Sequence, residues 1–352
     1  MNRKNYAMHI FFIIVAVVTL FSQLDAKVIK FSQKPKFSFE INTAYDDNIF
    51  LYSTSYIDDF KNQIRSYRFP FETYDDFIVL LNPSLRLPIR LGPLKPTLFL
   101  NYKQYLYSVN SEKSYQIFSV TSDHSIIELL NIELSYLFLP RYLIRYYRNP
   151  SGSSTDYIGC TFTEHLITGR LIYKWNIIKI KPFVRYEIDN YKKNFDFYDG
   201  KALRLGIDAN IKLHKIVSIN IGIERKAYTA NGPVPDISYN ENNAFAQIVA
   251  KVPNFEKLSL YFGTDVGQRI FTTDNPFSID PYHKDRKDNK YSINLGADYQ
   301  FSRVIQLNIE YSFEKRSVST PYQIDIEEIK DYNNNKLSIG LNFNPVMLID
   351  GD

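Results

Sequence analysis

The feature that most constrains this chain is a two-residue alternation of apolar and polar side chains that recurs along most of its length. In residues 177–191, the sequence IIKIKPFVRYEIDNY places charged side chains at alternate positions with mainly apolar ones between them. Successive side chains of a β-strand point to opposite faces, so this spacing puts one chemical set on each face. No segment after residue 26 shows a helical period with capping residues. The alternation therefore predicts an all-β chain.

Segments with this period are separated by turn-forming residues, and there are about fourteen of them. They lie at 36–46, 77–91, 96–108, 114–128, 131–147, 157–173, 177–191, 201–212, 217–226, 240–252, 257–270, 291–300, 304–316 and 336–343. An even number of strands is typical of single-chain bacterial outer-membrane barrels.

The connections between these segments alternate between short and long. The long set carries turn formers and charge, as in NPSGSST at 149–155 and TTDNPFSIDPYHKDRKDN at 272–289. A soluble β-sandwich has no reason to collect its long loops at one end, whereas membrane barrels have short periplasmic turns and long surface loops. In lipid, backbone N–H and C=O groups must pair internally, and strands achieve this only in a closed barrel. We therefore predict a single antiparallel up-and-down transmembrane β-barrel of about fourteen strands.

The N-terminus has the pattern of a secretory signal peptide. Arg3 and Lys4 precede an uncharged apolar stretch at 8–21 that is short for a membrane span, and Ala26 offers a cleavage site. An uncleaved anchor is the alternative, because Leu24 stands where cleavage sites usually have a small residue. We predict a cleaved signal peptide at 1–26, an outer-membrane β-barrel at 27–345 and a C-terminal tail at 346–352, with the mature protein in the cell outer membrane.

Composition excludes several classes of function. The chain has 28 Tyr and 26 Phe but one Trp, and Tyr and Phe favour the pleated, half-buried surface of a sheet. The net charge of +4 is small and its carriers are scattered, so no nucleic-acid-binding surface is expected. The single cysteine, Cys160, excludes a disulfide framework and a cysteine-based zinc site.

Two short segments resemble known families. The segment AYDDNIF at 44–50 resembles the end of the first strand in Gram-negative outer-membrane β-barrel (porin-like) families. The last predicted strand, whose alternating apolar residues end at Phe343, is similar to the insertion signal of outer-membrane barrels. The chain departs from that signal by continuing for nine residues as NPVMLIDGD, and Pro345 is expected to end the strand near Phe343. The resemblance implies a porin-like barrel that is inserted by the barrel-assembly machinery.

The sequence contains no enzyme motif. A phosphate-binding loop, HExxH and GxSxG are all absent, and the four histidines after residue 26 lie in separate segments without metal-ligand spacing. Asp123, His124 and Ser125 are adjacent, but neighbours on a strand point to opposite faces and cannot form one site. We therefore predict that the protein is not an enzyme and has no catalytic residues, no metal ligands and no cofactor.

Charged side chains on the predicted inner face are the remaining functional candidates. By strand parity, the lumen-lining candidates are Arg86, Arg90, Lys103, Arg141, Arg145, Lys179, Lys181, Arg185, Glu187, Arg204, Asp208, Glu224, Asp265, Arg269, Asp298 and Glu310. Charges after residue 176 nearly balance, whereas the five earlier candidates give one wall a positive excess. Two interpretations stay open: charge rings that set an ion preference, or opposite charges that pair across strands and keep the wall hydrated.

The number of strands limits how wide a channel the barrel can enclose. Barrels of about eight strands are filled by side chains, and those of about sixteen to eighteen enclose an aqueous channel, so fourteen predict a narrow one. The expected function is a porin-like channel for passive passage of small hydrophilic solutes. The alternative is a non-conducting scaffold or adhesion barrel that acts through loops 47–75 and 272–290. Expected partners are outer-membrane lipid, lipopolysaccharide and the barrel-assembly machinery, with no nucleic acid; the oligomeric state and the position of loop 47–75 stay open.

Overall fold

The computed structural model describes residues 29–92 and 94–347, which form fifteen β-strands and two α-helices. The strands are β1 (Ile29–Phe31), β2 (Lys36–Asp46), β3 (Asp76–Leu91), β4 (Thr97–Tyr107), β5 (Tyr115–Ile127), β6 (Leu130–Arg148), β7 (Tyr157–Trp175), β8 (Ile178–Tyr191), β9 (Gly200–Lys212), β10 (Val217–Ala230), β11 (Tyr239–Val252), β12 (Phe255–Phe271), β13 (Lys287–Gln300), β14 (Ile305–Ser319) and β15 (Tyr332–Met347). Helices α1 (Thr54–Lys61) and α2 (Ile326–Lys330) lie in the connections after β2 and β14. The predicted signal peptide at 1–26 lies outside the described residues, as do residues 348–352 of the predicted tail.

Strands β2 to β15 form one closed antiparallel ring of fourteen. Each strand pairs with its neighbours in sequence, and β2 closes the ring by pairing with β15, where Ile41 lies opposite Leu341. The predicted fold class, an up-and-down barrel of about fourteen strands, is confirmed. The short strand β1 was not predicted; it pairs with the end of β3, with Phe31 opposite Ile89.

The two faces of the ring differ in chemistry as the alternation predicts. In β9, Leu205 is 56% exposed on the outer face, while its neighbour Arg204 forms ion pairs on the inner face. In β15, Leu337 is 51% exposed, while Ser338 is buried. An apolar outer wall around a polar interior is the arrangement expected of strands that cross a bilayer.

The connections divide by length between the two ends of the barrel. Short turns follow β3, β5, β7, β9, β11 and β13, whereas long connections follow the even-numbered strands. Two-residue turns follow β5, β7 and β11, and in the last two Asn176 (φ 50°) and Asn254 (φ 64°) adopt the left-handed conformation that such hairpins favour. The end of the barrel with the short turns is called the short-turn end, and the end with the long connections is called the long-loop end.

Strand β6 departs from regular pairing with β7 at two places. The register shifts between Leu139 and Tyr142 and again between Leu143 and Arg145. An irregularity of this kind moves following side chains to the other face. Tyr142 and Arg145 are three residues apart and would lie on opposite faces of a regular strand. Because of the shift between them, both lie opposite inner-face residues of β7, namely Phe162 and Cys160.

The last strand extends further than expected. Strand β15 runs to Met347, and its register with β2 shifts between Phe343 and Val346, around Pro345. The expectation that Pro345 ends the strand is wrong, because an irregularity in pairing accommodates the missing N–H of proline.

The two helices are small parts of the long-loop end. The N-cap of α1 is Ser53, whose side chain accepts a hydrogen bond from the Tyr56 N–H. Neither described helix is long and apolar enough to span a membrane.

Candidate functional site: the lumen and its long-loop mouth

The inner wall is a polar surface that differs in side-chain size around the ring. Small and amide side chains occupy many of the inward positions of β13, β14, β15, β2, β3, β4 and β5, here called the small-residue wall, in which Glu40, Arg86, Lys103 and Glu310 are the longer exceptions named by strand parity. The small and amide side chains include Ser292, Asn294, Gly296, Asn308, Ser312, Ser338, Gly340, Ser38, Asn42, Ala44, Ser84, Asn101, Ser119 and Thr121. The opposite wall, from β7 to β12, carries the long charged side chains.

Most of the predicted lumen-lining residues lie on this charged wall. The inward positions of β8, β9, β10 and β12 hold Lys179, Lys181, Arg185, Glu187, Arg204, Asp208, Glu224, Asp265 and Arg269, whereas Asp298 and Glu310 point inward from β13 and β14 of the small-residue wall. Four of the predicted residues line a cavity of about 500 Å³ together with Lys290, namely Arg204, Asp208, Glu224 and Asp265.

The five earlier candidates are spread along the height of the barrel. Arg86 lies opposite Lys36, with its guanidinium 6.0 Å from the Phe99 ring. Lys103 has inward parity on β4. Arg90 is exposed at the short-turn end, Arg141 is exposed within the first irregularity of β6, and Arg145 is buried at the long-loop end. They therefore do not form one compact positive wall.

Glu187 is the centre of an ion-pair ladder on the charged wall. It is 3% exposed, and its two carboxylate oxygens accept from Arg204 Nη2 at 2.9 Å and from Lys226 Nζ at 2.6 Å. Arg204 also reaches Glu224, with 3.1 Å between Nη1 and Oε1. The ladder therefore crosses β8, β9 and β10.

Further pairs extend the ladder in both directions. Arg269 donates to Glu241 at 2.6 Å, and Asn243 bridges Glu241 and Glu224. On the other side, Arg170 lies 2.7 Å from Glu133. The interpretation that opposite charges pair across strands is confirmed for these residues, so much of the wall charge is internally offset.

The connection after β2 folds over the mouth at the long-loop end, which answers the question left open by the sequence. Asn48, 1% exposed, anchors it: its side-chain amide donates to the backbone oxygens of Tyr52 and Asn333 at 2.8 and 2.9 Å. Asp46 and Asp47 accept hydrogen bonds from β15. The polar residues of the AYDDNIF segment therefore fasten the loop to the barrel rim.

An aromatic cluster holds the folded loop against β6. Phe50 packs against Tyr52, Phe71 and Tyr146, with ring centroids 4.5 Å apart for Phe50 and Phe71. Helix α1 also contacts α2 of the last long connection. The position of this loop was left open by the sequence, and the Ser53 cap and the aromatic run after it are the signals that could have located it.

Lys113 secures the same region from the connection after β4. Its ammonium donates to the backbone oxygens of Leu143 and Ile144 at 2.6 and 2.9 Å, where the upper part of β6 has no paired neighbour on that side. Burial, with a smaller contribution from the nearby Arg145, lowers the pKa of Lys113 to about 7.

Three cations converge at the mouth: Arg145, Arg316 and Lys330, here called the mouth cations. Arg145 donates to Leu51 O at 2.8 Å, and Arg316 donates to Lys330 O at 2.7 Å. Burial and then the charges of Arg145, Arg286 and Arg316 lower the pKa of Lys330 well below its usual value, so the two arginines are the stronger positive charges of the cluster.

Among the side chains that the structure describes in this cluster, positive charge is in excess. Arg286 forms a two-point ion pair with Asp288, with both N···O distances 2.7 Å. Among the side chains that the structure describes, no carboxylate lies within ion-pair distance of a mouth cation. The sequence could not reveal this cluster, because its members come from three distant segments.

Asp123 and His124, which are adjacent in the sequence, do not come together in the structure. No group of three or more His, Cys, Asp or Glu side chains is placed to hold a metal ion among residues 29–92 and 94–347. Ser122 Oγ lies 2.8 Å from His124 Nε2 on the outer face, whereas Asp123 is inward and accepts from Asn131. The adjacent Asp123 and His124 are thus kept apart.

Solved outer-membrane proteins share a general structural likeness with this chain. No protein-family model and no curated protein matches its sequence. OmpT, an outer membrane protein of Vibrio cholerae, aligns with a TM-score of 0.47 at 8% identity over 91% of this chain and 99% of that chain. The outer membrane protein OccK1 (OpdK) of Pseudomonas aeruginosa gives 0.40 at 9% identity over 90% and 100%. An anion-selective porin from Comamonas acidovorans gives 0.44 at 9% over 90% and 99%. At these identities, no residue role is carried over.

Proposed function

We propose that this protein is an outer-membrane channel through which small hydrophilic solutes pass passively. The apolar outer wall supports a bilayer location, since each exposed side chain such as Leu205 or Ile223 gains free energy on leaving water. The export signal predicted at 1–26 agrees with the outer membrane. Insertion would then involve the barrel-assembly machinery, and the surrounding lipid would include lipopolysaccharide.

The observation that carries the proposal is the small-residue wall. Strands about 4.8 Å apart and tilted by about 40° give a fourteen-stranded ring a backbone radius of about 14 Å. Long side chains fill the space next to β7 to β12, but Ser292, Gly296, Ser312 and Gly340 project little into the lumen. Water and small solutes therefore have a polar path along this wall, and the passage needs no catalytic group or cofactor.

The folded loops make the path narrow at the long-loop end. The aromatic cluster around Phe50 and the contact between α1 and α2 occupy part of the mouth. The mouth cations lie beside this obstruction, so a solute that enters there meets an excess of positive charge. We infer a modest preference for anions, because charges that line a narrow pore set its selectivity.

Solute uptake by proteoliposomes tests the proposal. Swelling in isotonic solutions of uncharged sugars should be fast for the smallest sugar and fall steeply with sugar size. Gly263 faces the lumen from β12, directly beside Asn294 of β13 at the edge of the small-residue wall. A Cβ at Gly263 would meet its nearest atom only at 3.7 Å, so the indole of Gly263→Trp should extend over this edge and obstruct the path without a backbone clash. Thr264→Trp, one residue along on the outer face, is the matched control and should swell as the native protein does.

The alternative function predicts a different outcome. A non-conducting scaffold or adhesion barrel would give no swelling with any sugar, although the protein is inserted. The rigid packing of the loop around Phe50 and Tyr52 is the observation that favours this alternative, since it presents an ordered surface.

A further inference from the structure

The outer wall carries a groove that runs over β10, β11 and β12. Ala244 and Ala246 occupy successive outward positions of β11. Ala244 lies between Ile223 of β10 and Val266 of β12, both of which are exposed. This small side chain between larger neighbours leaves a groove in the outer wall at β11.

The groove has the size of a ligand site. Its volume is about 710 Å³, within the range of about 300–1,000 Å³ that is typical of small-molecule sites. Leu205 and Ile207 extend one side, and Tyr291 bounds the other. Apolar side chains line most of it, so an acyl chain fits its chemistry.

A polar row closes the groove towards the long-loop end. Arg225, Asn242, Gln268 and Asn289 face one another across four neighbouring strands. The Gln268 side chain donates to Asn289 Oδ1 at 3.0 Å. The row lies where the apolar band ends, which is the depth of lipid headgroups and sugars.

The charge on this part of the outer wall has one sign. The outward positions in the long-loop halves of β9 to β14 include Lys201, Arg225, Lys287 and Lys315 and no Asp or Glu. Among the described side chains, none of these four cations forms an ion pair, although acids such as Glu224 and Glu241 lie on the inner face of the same strands. Unpaired cations beside an apolar band favour an anionic partner from the membrane.

We propose that this groove is a binding site for lipopolysaccharide, with one acyl chain along Ala244, one lipid phosphate at Arg225 and the second phosphate at Lys315, four strands away. The proposal rests on the outer-membrane location given under the proposed function. The site needs no change in the barrel, because both the apolar floor and the cationic rim are in place. Bound lipid would fix the orientation of this wall in the outer leaflet.

Equilibrium binding to the full chain in detergent micelles tests the site, with purified hexa-acylated lipid A that carries both phosphates as the probe. The double variant Arg225→Gln, Lys315→Gln should weaken binding by about thirtyfold, as expected for two cations near an anionic surface. Ala244→Phe should weaken it without any change in charge. Lys215→Gln at the short-turn end and Ala297→Phe elsewhere on the outer face are the controls and should bind as the native protein does.

Three results would overturn the proposal: native affinity in the Ala244→Phe variant, native affinity in the charge variant, or equal affinity for lipid A from which the phosphates have been removed. Equal competition by phosphatidylglycerol would show a site for any anionic lipid and would also contradict it. Measuring the conductance of the same native and variant proteins separates the lipid-binding proposal from the channel proposal. A groove variant that conducts but does not bind lipid supports the groove, whereas a native protein that binds lipid but never conducts refutes only the channel.

Discussion

Removing the carboxylate at the centre of the ion-pair ladder should destabilise the barrel strongly. Glu187→Gln leaves Lys226 without its ion-pair partner, and that lysine is only 5% exposed. Breaking a buried pair by removing one partner costs about 3–5 kcal/mol, because the remaining charge stays buried and uncompensated. The rings of Tyr228 and Tyr239, 5.2 and 5.4 Å from Lys226 Nζ, offset part of this cost. We therefore expect a loss of about 3 kcal/mol in the free energy of unfolding.

Urea unfolding in detergent micelles measures this loss, and two variants calibrate it. Lys290→Gln breaks the pair with Glu314, in which the lysine side chain is 52% exposed, and should cost less than about 1 kcal/mol. Adding Lys226→Met to Glu187→Gln removes the orphaned charge and should restore most of the stability. Equal costs for Glu187→Gln and Lys290→Gln would refute the reasoning, because the inner wall would then be solvated as freely as the rim.

Three further predictions concern the long-loop end. The pKa of Lys113 is about 7 in the folded protein and about 10.4 in the unfolded chain, so the unfolded state binds more protons between these two pH values. The free energy of unfolding should therefore rise with pH across this range. The urea midpoint of Lys113→Met should not show this rise. On intact cells, a cysteine that replaces Ser278 should react with an impermeant thiol reagent, whereas one that replaces Lys215 should react only after the outer membrane is opened. Equal labelling of the two would contradict the orientation. The native Cys160 is buried and should not add to the labelling. Neutralising Arg145 and Arg316 should shift the reversal potential towards cations, more at low than at high salt, and an unchanged potential would exclude them as selectivity determinants.

The barrel could be predicted from the sequence because its signal is local and repeated. Leu205 and Arg204 differ in face simply because they are neighbours on a strand, and the same rule holds around the ring wherever the pairing is regular. Asn176 and Asn254 likewise sit at hairpin turns that the spacing between strands already indicates.

The features at the mouth depend on contacts between distant segments, and a single sequence does not contain them. The irregularities in β6 that separate Arg141 from Arg145 arise from pairing with β7, which no pattern within β6 displays. The mouth cations meet only because the loop after β2 and helix α2 fold inward together. The sequence indicated that charges could pair across the inner wall. Which residues pair with Glu187 depends on the register between β8, β9 and β10, which the sequence does not show.

The central claim is that a closed barrel encloses an open polar lumen along its small-residue wall. Single-channel recording in a planar bilayer measures this most directly. We predict discrete conductance steps for the native protein, smaller steps for Gly263→Trp and native steps for Thr264→Trp. The claim would be contradicted if inserted native protein gave no conductance steps, or if the steps of Gly263→Trp were as large as those of the native protein.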